Sequence, residues 1–148
     1  MIAGRVIVAG EATGEALVTR EPLSFWGGYD FHTGEIIDRH HPLAGVRAGG
    51  RILAVPFSKG SSTTTAVLLE AVREGTAPAA ILTTGADAFF ALASIVAEVM
   101  YGTPFPVIAL EPGDFASLYT GEHLSIARDG TIARAHSPIP IGPVDRIR

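Results

Sequence analysis

The sequence contains no cysteine. That excludes a disulfide framework, a thiolate nucleophile, and any cysteine-ligated zinc or iron–sulfur cluster held by this chain alone. Lysine is nearly absent as well. Lys59 is the only one, and the other ten cations are arginines. With a formal net charge of −4, the chain lacks the basic footprint that phosphate neutralisation demands of a nucleic-acid binder. Charged residues make up 18% against 47% hydrophobic, the reverse of a disordered composition. Long apolar runs are missing too. The longest, Ala88 to Ala97, falls far short of the roughly 20 residues needed to span a bilayer. Met1 to Val6 shows no charged region leading into an apolar one, so a cytoplasmic protein without a signal peptide is expected.

Familiar ligand motifs are also missing. Lysine precedes glycine in Lys59-Gly60-Ser61, and the first glycine of a P-loop has no counterpart. No G-x-G-x-x-G follows a strand pattern, and no G-x-S-x-G elbow is present. Asp38, His40 and His41 lie close together with His32 upstream, but their spacing matches no standard zinc signature. Adjacent His40 and His41 would point to opposite sides of an extended chain, and Pro42 favours that extension.

What remains reads as one α/β domain over residues 1–148. Its centre alternates strand and helix: Arg51–Phe57, Thr63–Glu74, Ala79–Thr83, Ala88–Tyr101 and Phe105–Leu110. Gly75 and Gly102 stand where helices should stop, and Asp87 where the second should be capped. That alternation predicts parallel strands joined by helical crossovers. The second helix is expected to bury Phe89, Ala93, Val96 and Met100. Arg5–Ala9 and Glu15–Thr19 read as a possible hairpin around Gly10 and Gly14. Glu122–Arg128 and Thr131–His136 flank Asp129-Gly130, a strong hairpin-turn pair. From Pro22 to Gly50 the pattern is lost apart from Glu35–Asp38, and long irregular stretches of this kind are often functional. Phe25 and Trp26 in that stretch either close the core or present an interface or site lid. The tail from about residue 137 is Pro-rich and expected to be extended.

The segment Ser58–Ser62 carries the most chemistry. It joins a buried strand to a helix, where unpaired N–H groups and the dipole suit an anion. Gly60 permits close approach, Ser61 and Ser62 supply hydroxyls, and Lys59 supplies charge. A helix cap at Ser61 or Ser62 is compatible with a ligand on the other hydroxyl. A free serine is a weak nucleophile and base, and the chain offers little to activate one beyond Lys59 and the helix start. A catalytic role would therefore call for a second chain.

Several segments together resemble the small swivel-domain subunit of the aconitase X enzymes. They are Glu21 to Gly28, Asp30, Thr33-Gly34, Ile37-Asp38, His41-Pro42-Leu43, Lys59-Gly60-Ser61 and Gly75 to Ala80. The resemblance runs from about Gly4 to Ile139. It departs at Ser58, often glycine in the family, and at Phe31, where proline is common. It implies a swivel-like β/β/α domain with central parallel strands, two helices and antiparallel hairpins. It implies a hydro-lyase that dehydrates a hydroxy acid only with a larger, cysteine-containing subunit. That subunit would carry an iron–sulfur or iron centre, with no cofactor in this chain. Ser61 is implied as the general base, with Lys59, Gly60, Ser62 and His41 as substrate-binding residues. The substrate type most resembled is cis-3-hydroxy-L-proline, giving Δ1-pyrroline-2-carboxylate; phosphomevalonate is the alternative. Two readings of other classes are a non-catalytic anion-binding docking module and a carrier phosphorylated at His41.

Overall fold

The computed structural model describes residues 1–60 and 62–135. Its frame is an eight-stranded sheet. The strands that form it are β1 (Ile2–Ala3), β2 (Arg5–Val8), β3 (Ala12–Val18), β7 (Ile52–Ala54), β9 (Ala80–Thr83), β10 (Val107–Ala109), β11 (His123–Ile126) and β12 (Thr131–Arg134). Their spatial order is β1-β12-β11-β3-β7-β9-β10-β2. The central four, β3, β7, β9 and β10, run parallel, while the outer pairings are antiparallel. Helices α1 (Ser62–Glu74) and α2 (Ala88–Tyr101) make the two crossovers, and a one-turn helix α3 (Pro112–Ala116) follows β10. The α/β class with antiparallel hairpins is thus observed.

The parallel strands are apolar on both faces because both are covered. Leu53, Val55, Ile81 and Val107 point to a cluster with Val67, Leu68 and Ala71 of α1 and Phe90 and Ala93 of α2. The alternate residues Ile52, Ala54, Ala80, Leu82 and Ile108 join Phe115, Leu124, Ile126 and Ile132 in a second cluster. Period-two alternation therefore sorts one set of strands into two cores. No helix among the described residues is long and apolar enough to cross a membrane.

The first and last strands of the sheet, β1 and β2, are separated in sequence only by Gly4. The sheet therefore curls until its edges meet at that residue. Gly4 N–H donates to the Gly130 carbonyl at 3.0 Å. A Cβ on Gly4 would stand 2.2 Å from Ile108 Cγ2 and 3.1 Å from Leu110 Cδ2. Ile108 is fully buried and has nowhere to retreat. Gly4→Ala is expected to cost about 1–3 kcal/mol by overpacking. A thermal melt should fall by roughly 2–4 °C per kcal/mol. An unchanged melting temperature would mean that the edges do not meet there.

Three expectations need correction. Arg5–Ala9 and Glu15–Thr19 do not form a hairpin. β2 pairs with β10, and β3 lies between β11 and β7. The reason lies at Gly10, which packs against Pro106: a Cβ there would be 3.1 Å from Pro106 Cδ. The chain thus crosses the end of β10 instead of turning back. In α2 the buried residues are Phe90, Ala93, Ser94 and Ala97, so the face is rotated from the one expected, and Met100 is exposed. Two contacts set that rotation. The Asp87 carboxylate caps Phe89 N and Phe90 N, and Ser94 Oγ bonds both N and O of Phe105. The 22–50 stretch is not wholly irregular. It holds β4 (Leu23–Ser24), β5 (Tyr29–Asp30) and β6 (Glu35–Ile36), the latter two paired. The hairpin at Asp129-Gly130 forms as expected, with Gly130 at φ +91° and Asp129 Oδ1 accepting from Thr131 N. The tail from residue 137 lies outside the described residues.

Candidate functional site

The polar turn after β7 sits at the carboxyl end of the parallel strands, where α/β sheets place ligands. Ser58–Lys59 forms a two-residue strand, β8, parallel to β4: Leu23 pairs with Ser58 and Ser24 with Lys59. Gly60 then turns at φ +103°, a left-handed conformation suited to glycine. A Cβ there would also press to 2.9 Å from Thr63 Oγ1.

Hydroxyls of α1 tie the turn to its own helix. Thr63 Oγ1 donates to the Gly60 carbonyl, and Thr64 Oγ1 to the Lys59 carbonyl at 2.8 Å. Asp87 ties it to the other helix. Its Oδ2 accepts from Ser58 N at 2.7 Å, and its Oδ1 from Ser58 Oγ at 3.1 Å. The same Oδ1 accepts from Phe89 N and Phe90 N at 3.0 and 3.1 Å. One buried carboxylate thus caps α2 and holds the start of the turn. The cap was legible in the sequence, but the tie to Ser58, 29 residues away, was not.

Among the expected site residues, Lys59, Gly60 and Ser62 come together at the β8–α1 junction, all three exposed. Lys59 makes no ion pair among the described residues. Ser61 lies outside the described residues. His41 sits apart, on the loop after β6. Its Nδ1 accepts from Leu43 N at 3.0 Å, so the ring organises its own turn. The residue is only 7% exposed, and Nε2 is buried without a hydrogen-bond partner among the described residues. Nδ1 is engaged and Nε2 is covered, so the ring presents no accessible nitrogen to a phosphate donor. The His41 loop still reaches the junction indirectly: a Cβ on Gly28 would meet Asp38 Cβ at 3.4 Å and the Ser24 carbonyl at 2.1 Å.

Phe25 and Trp26 take opposite fates. Phe25 is fully buried, 5.1 Å from the Tyr29 ring and 5.7 Å from that of Phe90, centroid to centroid. Trp26 is 67% exposed. Beside it lies a cleft of about 390 Å³ lined by Trp26, Gly27, Tyr29, Asp30, Phe31, Ile37 and Val67. Tyr29 closes its floor. Its hydroxyl donates to the Thr76 carbonyl at 2.7 Å, and burial raises its pKa well above the ordinary phenol value. The sequence offered Trp26 as an interface anchor or site lid but not the cleft itself, because most of its walls come from the stretch where no period is visible.

Among the described residues there is no group of three or more His, Cys, Asp or Glu side chains that could hold a metal ion. With no cysteine in the sequence, these donors do not fit an iron–sulfur centre, and no step through one is assigned to this chain.

A family model described as the aconitase X swivel domain matches residues 1–134. A cis-3-hydroxy-L-proline dehydratase of Pseudomonas aeruginosa is 42% identical over 99% of this chain, but that match covers 26% of the relative. The chain spans about a quarter of the length of this relative and of a second dehydratase of that name, from Hypocrea jecorina. A phosphomevalonate dehydratase small subunit of Pyrococcus furiosus is 40% identical over 74% of this chain and 82% of its own. Among solved structures, aconitase X of Thermococcus kodakaraensis superposes with a TM-score of 0.80 at 32% identity, covering 91% of this chain and 98% of that one. The eight-stranded α/β fold and these matches agree, and the chain belongs to the aconitase X swivel domain family.

Proposed function

We propose that this chain is the swivel component of a hydro-lyase that dehydrates cis-3-hydroxy-L-proline to Δ1-pyrroline-2-carboxylate. The observation that carries this reading is the 42% identity to a dehydratase of that substrate, sustained over 99% of the chain. A specific observation favours phosphomevalonate as the second reading. The relatives named for it are small subunits of similar length, whereas the hydroxyproline enzymes are far longer.

In this reading Ser61 removes a proton from the substrate carbon. It follows Gly60 directly and precedes α1, whose first unpaired N–H groups and dipole favour a developing oxyanion. Lys59 adds an exposed positive charge on the same turn. Ser58, held by Asp87, and Lys59, held through Thr64, keep the backbone that leads into the base in place. Gly60 and Ser62 line the approach, and His41 shapes the neighbouring loop. The iron or iron–sulfur centre belongs to a larger, cysteine-containing partner, and the enzyme works in the cytoplasm.

The test is anaerobic purification of the tagged chain with its larger partner. The complex is then assayed on cis-3-hydroxy-L-proline and on phosphomevalonate. Dehydration of the hydroxyproline is expected. Dehydration of phosphomevalonate alone would select the second reading. A partner-bound complex inactive on both would leave a docking module.

A further inference from the structure

We propose that the outer face of α2 is a docking surface for the larger subunit, covered there by an apolar, charge-poor patch of that partner. The surface follows from this chain alone; its occupant rests on the dehydratase reading.

The two crossover helices differ on their outer sides. On α1, Glu70, Arg73 and Glu74 lie toward water and pair with one another: Arg73 Nη2 stands 2.7 Å from Glu70 Oε1 and 3.4 Å from Glu74 Oε2. α2 has no such face. Glu98 is the only charged residue in that helix. Its inner side is filled by Phe90, Ala93 and Ala97. Ala88, Leu92, Ile95 and Val99 recur at i, i+4, i+7 and i+11 on the opposite side, and all four are exposed. Val99 is 81% exposed, and exposed Met100 widens the stripe at its far end. Glu98 stands somewhat over a quarter-turn to the side. A helix that is apolar all round belongs inside a larger body, and this chain covers only one side of it. An exposed stripe of large aliphatic side chains marks an interface, whose centre is poor in charge.

Size and position choose the occupant. A two-fold pairing of α2 on α2 would join about five side chains from each copy. A stable interface takes roughly 20–30 residues a side, so the stripe is one part of a wider surface. That wider surface reaches the candidate site. Ala88 follows Asp87, whose carboxylate accepts from Ser58 N and Ser58 Oγ. Phe57, directly before Ser58, is exposed as well. From Ala88 to Val99 the stripe runs about 16 Å along the helix axis. One partner surface of ordinary size can therefore cover the stripe and the Gly60 turn together. The chain spans about a quarter of its longer relatives, and the remaining three quarters are the material for that surface.

Because the chain has no cysteine, Val99→Cys places a single thiol on the stripe. Arg73→Cys places one on the outer side of α1. Each variant is alkylated with N-ethylmaleimide, alone and in the complex purified with the larger partner, and the mass of this chain is followed with time. Val99→Cys is expected to react at least tenfold more slowly in the complex, and Arg73→Cys equally fast in both. Ile95→Glu, checked by circular dichroism for an intact fold, is expected to raise the Kd for the partner at least thirtyfold, as loss of a central interface contact does. Equal labelling of Val99→Cys in both states, protection of both positions alike, or an Ile95→Glu complex as tight as the parent would each overturn the proposal. So would protection of Val99→Cys in the chain alone that grows with its concentration, which identifies a second copy as the occupant. The dehydratase reading is judged separately, by turnover. An active complex with Val99→Cys fully labelled sinks the docking surface alone. A protected complex inactive on both substrates sinks the reaction alone.

Discussion

Ser61→Ala is expected to lower turnover of the assembled complex by roughly 10²–10⁴-fold, the range that a positioned general base typically supplies. The fold should survive, because removing one hydroxyl at the start of α1 costs at most a helix cap, about 1 kcal/mol. Complex formation and the thermal melt should therefore change little while kcat collapses. Ser62→Ala is the matching control. Ser62 is the exposed first residue of α1, and its loss should leave kcat within a few-fold of the parent. If the two effects are reversed, Ser62 carries the proton. If neither variant changes kcat, the chain contributes no base, and the turn is an anion-binding or docking element.

The contrast between these two serines shows how far the residues could be read before the fold was known. Adjacent hydroxyls are indistinguishable by composition, and either could cap α1. The family resemblance, not periodicity, singled out Ser61. Elsewhere local signals were strong and proved sound. Asp87 and Gly102 bracket α2 as expected, and Asp129-Gly130 turns its hairpin. These are decided within a few residues by capping and turn chemistry. Long-range choices were not legible. β2 finds β10 rather than β3, with Gly10 packed closely on Pro106 where the chain leaves β2. The buried face of α2 was read one residue out of phase, because nearly every residue of that helix is apolar. Its actual orientation is set by Asp87 and by Ser94, one of them bonded to a distant loop and the other to Phe105. Trp26 was legible as an interface or lid residue, but the cleft beside it was not, for a related reason. Its strands are two residues long, too short to show a period, and they are held by the pairings β4–β8 and β5–β6.

Asp87 supplies the second large effect, and it separates stability from activity. Its two oxygens accept four hydrogen bonds, two from the start of α2 and two from Ser58. Asp87→Ala removes all four and leaves buried N–H groups unpaired. Losing the cap costs about 1 kcal/mol, and each unpaired buried donor about 1–3 kcal/mol. A loss of about 3 kcal/mol is expected, seen as a fall of roughly 6–12 °C in the melting temperature. Asp87→Asn is the more informative change. Asparagine caps helices about as well as aspartate, so α2 should persist. Its amide, however, has one acceptor atom where the carboxylate has two. With the carbonyl toward Phe89 N and Phe90 N, the NH₂ group faces the Ser58 N–H, donor against donor. Turned around, it serves Ser58 and abandons the helix. Whichever orientation is adopted, either the helix cap or the backbone bond to Ser58 is lost. With the carbonyl toward the helix, the Ser58 N–H bond breaks and only the Ser58 Oγ bond remains, which loosens the backbone three residues ahead of Ser61. The expected result is a melting temperature only a few degrees lower with kcat reduced about tenfold or more. KM should change less, since the Lys59 carbonyl is tied to Thr64 of α1 rather than to Asp87. Parallel losses in stability and kcat would instead mean that Asp87 acts only as a helix cap, and that the turn carrying the base is positioned from α1 alone.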